Sequence, residues 1–157
     1  EPGKESKSKH HWIIYRYAET LLTYAESMVN AFNDVNYTDE TYPYSALWAI
    51  NEVRKNAEMP LLPSMGKEEF MEHLYNEWRV EFAFEDHRFW DVRRWKIADT
   101  TQRELYGIKI ERQSDGTLNF YRNLYETRAW KDCMYLYPIP QSELYKNTNL
   151  NPQNAGW

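Results

Sequence analysis

Apolar residues recur at three- and four-residue steps between Trp12 and Phe32, which is the spacing of one face of an amphipathic α-helix. This stripe consists of Ile14, Tyr17, Ala18, Leu21, Leu22, Ala25, Met28 and Val29. The two alanines would let a neighbouring helix approach closely. The polar residues Asn33, Asp34 and Asn36 follow and end the pattern. The sequence therefore predicts a first helix over residues 12–32.

A second apolar stripe predicts a helix from about Pro43 to Ala57, with the proline in the first turn, where a missing N–H is tolerated. Its members are Tyr44, Leu47, Ile50 and Val53. Two helices joined by a short polar loop resemble one unit of a tetratricopeptide array. A single unit of this kind must stack on further elements to be stable.

A third and longer helix is predicted from about Lys67 to Trp95, bent or interrupted near His87, after a proline-broken connector at residues 59–64. Its stripe contains Met71, Tyr75, Trp78, Phe82, Phe89 and Val92, widened by Leu74 and Phe84. Large aromatic residues at helical spacing are typical of a core, so this stripe is predicted to be buried rather than to form a site.

The C-terminal third has a different pattern. Residues 108–111 and 118–121 are rich in β-forming residues and flank Ser114, Asp115 and Gly116, which predicts a β-hairpin. The prolines at 138 and 140 exclude a helix there, and residues 147–157 are predicted to form ordered coil. The predicted fold class is all-α, with a small β-hairpin and a long ordered coil.

The first ten residues contain no apolar residue and are predicted to be a solvated tail or linker, residues 1–10, ahead of one domain over residues 11–157. No apolar run approaches the roughly 20 residues that span a bilayer. Cys133 is the single cysteine, which excludes a disulfide within the chain and a CxxC metal site.

The net charge of −5 argues against binding to nucleic acid or to an anionic membrane, because both require a basic surface. Aromatic residues are in excess, at 17% of the chain. They could fill the core, which is the more common role of a single ring, or provide stacking surfaces for a ligand.

Three carboxylates, Glu77, Glu81 and Glu85, recur every four residues along one predicted helix face. A glycosidase holds its two carboxyl groups across a cleft, roughly 5 to 9 Å apart, whereas neighbours on one helix point the same way. We therefore expect a structural ion-pair network rather than acid–base catalysis. Its predicted cationic members are Arg79, Arg88, Arg93 and Arg94.

Metal binding is an alternative for Glu69, His73 and Glu77, which also recur at four-residue spacing, and for Glu85, Asp86 and His87. The HExxH pattern is absent, and His10 and His11 lie in the predicted tail. Phosphate-binding loops and nucleophile elbows are also absent from the sequence. The sequence thus predicts no catalytic residue, no metal and no cofactor.

Four stretches carry a family resemblance: residues 16–26 (RYAETLLTYAE), 49–54 (AINEVR), 77–95 (EWRVEFAFEDHRFWDVRRW) and 136–143 (LYPIPQSE), the last leading to 149–154 and to Gly156 and Trp157. In this order and spacing they resemble the C-terminal region of SusD/RagB proteins, over about residues 11–157. Trp78 and Asp86 depart from it, because the family more often has Arg and Gly at these positions.

The resemblance implies a tetratricopeptide-like SusD fold in a nutrient-binding lipoprotein at the surface of the outer membrane. Family members are several times longer, so the lipid anchor and further helical repeats are expected outside this chain. The implied ligand is an oligosaccharide or polysaccharide, and the implied partner is a SusC-like TonB-dependent transporter. The alternative is a helical-repeat scaffold that binds a protein partner and no sugar.

Sugar binding requires an exposed aromatic face with polar groups at its edge. The region with interleaved aromatic and polar residues, predicted to be a loop, contains Asn119, Tyr121, Arg122, Tyr125 and Trp130. These residues are the sequence-based candidates for ligand binding, and the alternative is that their rings dock the loop onto the helical body. An enzyme would instead require two carboxylates from different elements at one pocket, which we do not expect.

Overall fold

The computed structural model describes residues 13–101 and 103–157. Its helices are α1 (Tyr17–Phe32), α2 (Ala46–Asn56), α3 (Lys67–Glu81), α4 (His87–Arg94), α5 (Ala98–Thr101) and α6 (Gln141–Lys146), its strands are β1 (Glu104–Arg112) and β2 (Leu118–Thr127), and short 3₁₀ helices occupy Asp132–Tyr135 and Thr148–Leu150. The predicted fold class, mainly helical with one small hairpin, is confirmed. The predicted tail, His10, His11 and the predicted helix start at Trp12 lie outside the described residues.

The chain divides into two compact units, with the boundary between Glu85 and Asp86. In the first unit, α1 packs against both α2 and α3. Its buried apolar residues are Leu21, Leu22, Ala25, Met28, Val29, Val35, Ala46, Ala49, Ile50, Val53, Phe70, Leu74, Trp78 and Phe82. The alanines of α1 and α2 have no exposed surface at positions 25, 46 and 49, which fits the close helix approach expected from small side chains.

Helix α1 begins five positions later than predicted. Ile13 and Ile14 precede it in exposed coil, and Tyr17 is exposed at its start, so the prediction that Ile14 and Tyr17 are buried is wrong. The reason is that the apolar stripe can be covered only where α2 and α3 lie against it. Asn33 ends the helix in the left-handed conformation, and its N–H donates to the carbonyl of Val29.

Helix α2 begins at Ala46 because Ser45 caps it: the Ser45 side chain accepts a hydrogen bond from the N–H of Trp48. The predicted start at Pro43 is therefore too early. Tyr44 lies before the helix and is exposed. Further along, the Asn51 side chain both accepts from the N–H of Leu62 and donates to its carbonyl, which fixes the proline-rich connector beside α2.

The long third helix is two helices. α3 ends at Glu81, and the break falls a few residues before the predicted point near His87. Phe84 and Asp86 both adopt positive φ angles, 67° and 63°, which a continuing right-handed helix forbids. The family's more frequent glycine at position 86 would adopt this conformation without strain. Phe84 is fully exposed, so its prediction as a core residue is wrong, whereas Phe82 is 2% exposed.

The second unit has few buried residues: within its described part they are Asp91, Val92, Ala98 and Leu144. Its hairpin is longer than predicted and pairs Ile110 with Phe120 and Lys109 with Tyr121, with a register irregularity at Leu105 and Tyr106. Phe89, predicted on the buried stripe, is 42% exposed. None of the described helices is both long enough and apolar enough to cross a membrane.

Strand alternation divides the hairpin into two faces. One face is mostly apolar, and its apolar members are all exposed: Tyr106, Ile108, Ile110, Leu118, Phe120 and Leu124. The other face is mostly polar and carries Lys109, Glu111, Asn119, Tyr121 and Asn123. The hairpin is therefore stabilised mainly by its own strand pairing rather than by burial.

Candidate functional site

The acidic series Glu77, Glu81 and Glu85, at the end of α3 and just after it, is bound by arginines from the first two resemblance motifs. Arg16 donates to both oxygens of the Glu85 carboxylate, at 3.0 and 2.9 Å, and also pairs with Glu81. Its guanidinium lies 4.3 Å from the centre of the Phe82 ring. Burial alone would lower the pKa of Arg16, but hydrogen bonds and charges from Glu85 and Glu81 outweigh it and raise that pKa.

Glu77 is buried and pairs with Arg54 of α2, with 2.6 Å between Nη1 and Oε2. Arg54 also donates from Nε to the carbonyl of Pro60, at 2.8 Å. Each acid of the series is thus bound to an arginine from another helix or helix start. This geometry ties α3 to the rest of the first unit and leaves no pair of free carboxylates for catalysis.

Two of the arginines predicted as partners of these acids, Arg79 and Arg93, form no ion pair with them in the described residues, which corrects that part of the prediction. Arg79 is exposed and has no ion pair in the described part of the chain. Arg94 pairs with Asp91 of its own helix at 2.9 Å, and Arg93 donates to the carbonyl of Phe89. The physical reason is the helix break, which puts Arg88, Arg93 and Arg94 on a separate helix, α4.

No group of three or more His, Cys, Asp and Glu side chains is placed to hold a metal ion within residues 13–101 and 103–157. Among the metal-ligand candidates Glu69, His73 and Glu77, the carboxylate of Glu77 forms an ion pair with Arg54.

Four of the five sequence-based ligand candidates lie on strand β2. The prediction that this region forms a loop is therefore wrong. Asn119 and Tyr121 share the polar face, where the Asn119 amide donates to the Tyr121 hydroxyl at 3.3 Å. Arg122 is on the opposite face, with its guanidinium 3.8 Å from the centre of the Tyr106 ring. The alternation of the strand thus separates residues that the sequence pattern grouped together.

The two remaining ligand candidates, Tyr125 and Trp130, lie apart from the other three and from each other. Tyr125 is at the irregular point of the ladder and is 79% exposed. Trp130 follows the strand and packs edge-on against Tyr135, with 5.0 Å between ring centres. The guanidinium of Arg93 lies 5.5 Å from the Trp130 ring. The five candidates therefore do not form one surface.

The second unit contains an open cavity of about 1010 Å³. Its lining residues are Trp90, Arg93, Arg94, Lys96, Asp99, Asp132, Cys133, Tyr135, Leu136, Tyr137 and Ala155. Helix α4 and the segment after it provide one side, and residues 132–137 provide the other. A cavity that combines aromatic and aliphatic walls with a few charged groups is the usual form of a small-ligand site.

Trp90 and Tyr137 line this cavity and both contact the Phe89 ring, and we call these three residues the aromatic corner. Phe89 and Trp90 are edge-on, with 5.0 Å between ring centres, and Tyr137 is 6.0 Å from Trp90. Trp90 is 57% exposed and Tyr137 is 60% exposed, so both rings offer surface to a ligand. The sequence prediction missed them. The available signal was that Trp90 falls off the apolar stripe of its helix.

Charged groups complete the lining. Tyr135 donates from its hydroxyl to the Asp99 carboxylate at 2.9 Å. Burial raises the pKa of Tyr135, and the hydrogen bond to Asp99 raises that pKa further, so the hydroxyl remains a neutral donor. Arg93 contacts Phe89, with its guanidinium 3.6 Å from the ring centre. These groups place hydrogen-bonding functions beside exposed ring faces.

Asp99 and Asp132 come from different elements and both line the cavity, contrary to the expectation that no pocket would contain two such carboxylates. Both are exposed to solvent. A glycosidase needs one carboxyl group to be a proton donor, and burial in an apolar environment is what provides that property. The arrangement lacks this burial and fits hydrogen bonding to a ligand better than acid catalysis.

A sequence model of the SusD family matches residues 1–157. The chain belongs to the SusD family. SusD-family proteins are nutrient- or glycan-binding proteins in general and are not enzymes. The chain is 32% identical over 165 residues to SusD-like protein P2 of Formosa agariphila, an alignment that covers 99% of the chain and 27% of that protein.

A second SusD-family relative, SusD-like protein P38 of the same organism, is 28% identical over 109 residues, which cover 64% of the chain and 20% of that protein. Among solved structures, a SusD-like protein of Bacteroides fragilis is 36% identical with a TM-score of 0.73, covering 93% of this chain and 26% of that one. A SusD superfamily protein of Parabacteroides distasonis, 24% identical with a TM-score of 0.60, covers 97% of this chain and 28% of that one and shares the fold. The chain spans about a quarter of the length of these relatives.

Proposed function

We propose that residues 11–157 form the C-terminal region of a cell-surface SusD-family protein that binds glycans and passes them to a transporter. The observation that carries this proposal is the cavity in the second unit, where the exposed rings of Trp90 and Tyr137 stand beside charged hydrogen-bonding groups. Membership in the SusD family supports a nutrient-binding role, and the cavity has the chemistry that such a role requires.

Stacking is the first part of this chemistry. The C–H-rich face of a pyranose ring packs on an aromatic face, and Trp90 and Tyr137 present two faces that meet at 49°. Two inclined rings can contact two faces of one sugar or two successive sugars.

Hydrogen bonding is the second part. Sugar hydroxyls both donate and accept, so they are best satisfied by a mixture of cations and carboxylates. Arg93 and Lys96 provide donors, and Asp99 and Asp132 provide acceptors around the same cavity. A polar lining of mixed sign fits a neutral or weakly charged oligosaccharide.

The hairpin residues remain a second proposed contact. Tyr121 and Tyr125 are exposed, and Asn119 holds the Tyr121 hydroxyl. In this proposal Asn119, Tyr121 and Tyr125 contact those sugars of a longer oligosaccharide that extend beyond the cavity. Arg122 and Trp130 do not take part in this contact.

The whole protein is proposed to be lipid-anchored at the outer face of the outer membrane, through a segment outside this chain, and to pair with a SusC-like TonB-dependent transporter. The SusD-like relatives support this setting. The alternative is a helical-repeat scaffold that binds a protein and no sugar. The exposed apolar face of the hairpin supports this alternative, because such surfaces are often covered by a protein partner.

The direct test is a glycan-array screen of this chain and of the longer proposed parent, followed by calorimetry on each glycan that binds. The proposal expects binding by both proteins. Trp90→Ala should weaken it by about fivefold, because a stacked ring contributes roughly 1 kcal/mol beyond its buried area. Binding by neither protein would support the scaffold. Glycan hydrolysis that Asp99→Asn abolishes would contradict the non-catalytic proposal.

A further inference from the structure

The last five residues, Gln153–Trp157, which we call the closing segment, are bonded to a single stretch of backbone. That stretch is the wall segment, residues 133–139, which provides Cys133, Leu136 and Tyr137 to the lining of the cavity. The Gln153 side chain accepts from the N–H of Ile139 and donates to its carbonyl, both at 2.8 Å. One amide thus pairs with both polar groups of one residue, as a neighbouring strand would.

Two more side chains of the closing segment bind the wall segment directly. Asn154 donates from Nδ2 to the carbonyl of Tyr137 at 2.6 Å. The indole N–H of Trp157 is shared between the carbonyls of Cys133, at 2.9 Å, and Leu136, at 3.1 Å. These bonds reach both ends of the part of the wall segment that lines the cavity.

Gly156 permits this close approach. Its φ of 88° lies in the left-handed region, and a Cβ at this position would stand 2.8 Å from the Cβ of Cys133. A side chain at residue 156 would therefore push the closing segment away from the wall. Ala155, next to it, is itself part of the cavity lining.

The wall segment depends on these bonds because its own backbone can form few. Pro138 and Pro140 prevent a regular helix or ladder there. A segment without a regular ladder is restricted to one conformation where side chains bond to its carbonyl and N–H groups. The closing segment provides those side chains at Tyr137 and Ile139.

We propose that the closing segment is a positioning element: it holds the wall segment and thereby sets the distance and angle of Tyr137 relative to Trp90 across the cavity. Gln153, Asn154 and Trp157 are positioning residues, since they act through the backbone and touch no ligand themselves. The inference rests on the proposed function for its effect on glycan affinity, but the held geometry can be tested without any ligand.

The first variant is Asn154→Asp, which keeps the shape of the side chain and removes the donor to the Tyr137 carbonyl. Its matched control is Asn149→Asp, the same change in the short 3₁₀ helix Thr148–Leu150, at a side chain for which the described residues provide no hydrogen bond. Trp157→Phe is a second variant, which removes the shared N–H and keeps an aromatic ring. Urea unfolding of each variant reports its global stability.

The ligand-free readout is the rate at which iodoacetamide alkylates Cys133, the single thiol of the chain, under native conditions. Because Gly156 lies close to the side chain of Cys133, release of the closing segment should make this half-buried thiol more accessible by local opening. We expect Asn154→Asp and Trp157→Phe to increase the rate at least fivefold with little change in the urea midpoint, and Asn149→Asp to leave it unchanged. Equal rates in all four proteins would overturn the proposal.

The second readout is calorimetric affinity for a glycan that the unmodified chain binds. Asn154→Asp should weaken it several-fold, whereas Asn149→Asp should not. Faster alkylation with unchanged affinity would overturn the role of the segment in shaping the site. If the unmodified chain binds no glycan, the proposed function fails, and the alkylation rates alone decide whether the closing segment holds the wall.

Discussion

The buried aromatic residues of the described chain all lie in one of its two units. In the first unit, Phe70, Trp78 and Phe82 are buried among aliphatic side chains. In the second unit, Trp90 and Tyr137 are more than half exposed at a cavity. The high aromatic content of the sequence therefore has two origins, a packed core in the first unit and exposed rings in both units. The aromatic fraction alone could not separate them.

The arginines show the same contrast. Arg16 and Arg54 of the first unit are fixed by carboxylates of α3 and lie largely out of solvent. Arg93 of the second unit has no carboxylate partner in the described residues and lies over the Phe89 ring. A guanidinium committed to carboxylates ties helices together, whereas one that lies on a ring at a cavity can still bind a ligand. We infer that the first unit provides stability and the second provides recognition.

The largest effect should come from Phe82→Ala, which removes a core ring in contact with Trp78 and Arg16. We expect a loss of about 3 to 5 kcal/mol in the free energy of unfolding, the usual result for a buried Phe. Urea unfolding measures it. Phe84→Ala is the matched control, because this ring is fully exposed, and should change stability by less than about 0.5 kcal/mol. Similar losses in the two variants would remove the distinction between core and exposed rings.

The buried ion pair should rank second. Glu77→Gln leaves the charge of Arg54 without its carboxylate, and we expect a loss of roughly 3 kcal/mol, the lower end of the range for a broken buried pair. Arg54 keeps its hydrogen bond to Pro60, which moderates the effect. Glu52→Gln, at an exposed pair with Lys55, is the control and should cost under about 1 kcal/mol. Equal losses in the free energy of unfolding for the two variants would contradict the structural role of Glu77.

A smaller, pH-dependent effect is expected at Asp39, in the loop between α1 and α2. Its carboxylate accepts hydrogen bonds from the hydroxyl of Tyr37 and from the N–H groups of Tyr42 and Thr41, which lower the pKa of Asp39. The folded pKa is below the unfolded value, so this contribution is present above about pH 4 and is lost as the pH falls through the folded pKa. Asp39→Asn should remove it. A stability difference between the two proteins that does not shrink below pH 4 would contradict this assignment.

The smallest effect should be that of Phe120→Ala on the hairpin. The ring is exposed on a strand that pairs only with its neighbour, so we expect a change within about 0.5 kcal/mol. Because Phe82→Ala removes a buried ring and Phe120→Ala removes an exposed one, the two variants compare the same substitution in the two units. A loss above 2 kcal/mol in urea unfolding would mean that the apolar face of the hairpin is buried in solution.

Helical periodicity predicted the fold class and most of the buried positions of the first unit, because α1, α2 and α3 each expose one side and bury the other. It failed where local backbone conformation decides the structure. The positive φ angles at Phe84 and Asp86 prevent α3 from continuing. Neither residue type by itself predicts a helix break. The Ser45 cap was also missed, although a serine before an apolar run is a usual start signal.

The candidate site was harder to predict than the fold. Alternation along β2 places Arg122 on the face opposite Asn119 and Tyr121, which a grouping by sequence distance cannot show. The cavity joins α4 to residues more than 40 positions later, such as Tyr137, and pairings of this kind depend on tertiary contacts. The partners of Glu77 and Glu81 were missed for the same reason, since Arg54 and Arg16 are distant in sequence.

The most direct test of the account is calorimetric titration of a glycan into three proteins: the unmodified chain, the cavity variant Trp90→Ala with Tyr137→Ala, and the hairpin variant Tyr121→Ala with Tyr125→Ala. Both double variants remove two exposed rings from the second unit. The account predicts that the cavity variant loses about 30-fold in affinity, two ring contributions of roughly 1 kcal/mol each, and that the hairpin variant loses less than about fivefold. Full affinity in the cavity variant would contradict the central claim that the aromatic corner binds the ligand.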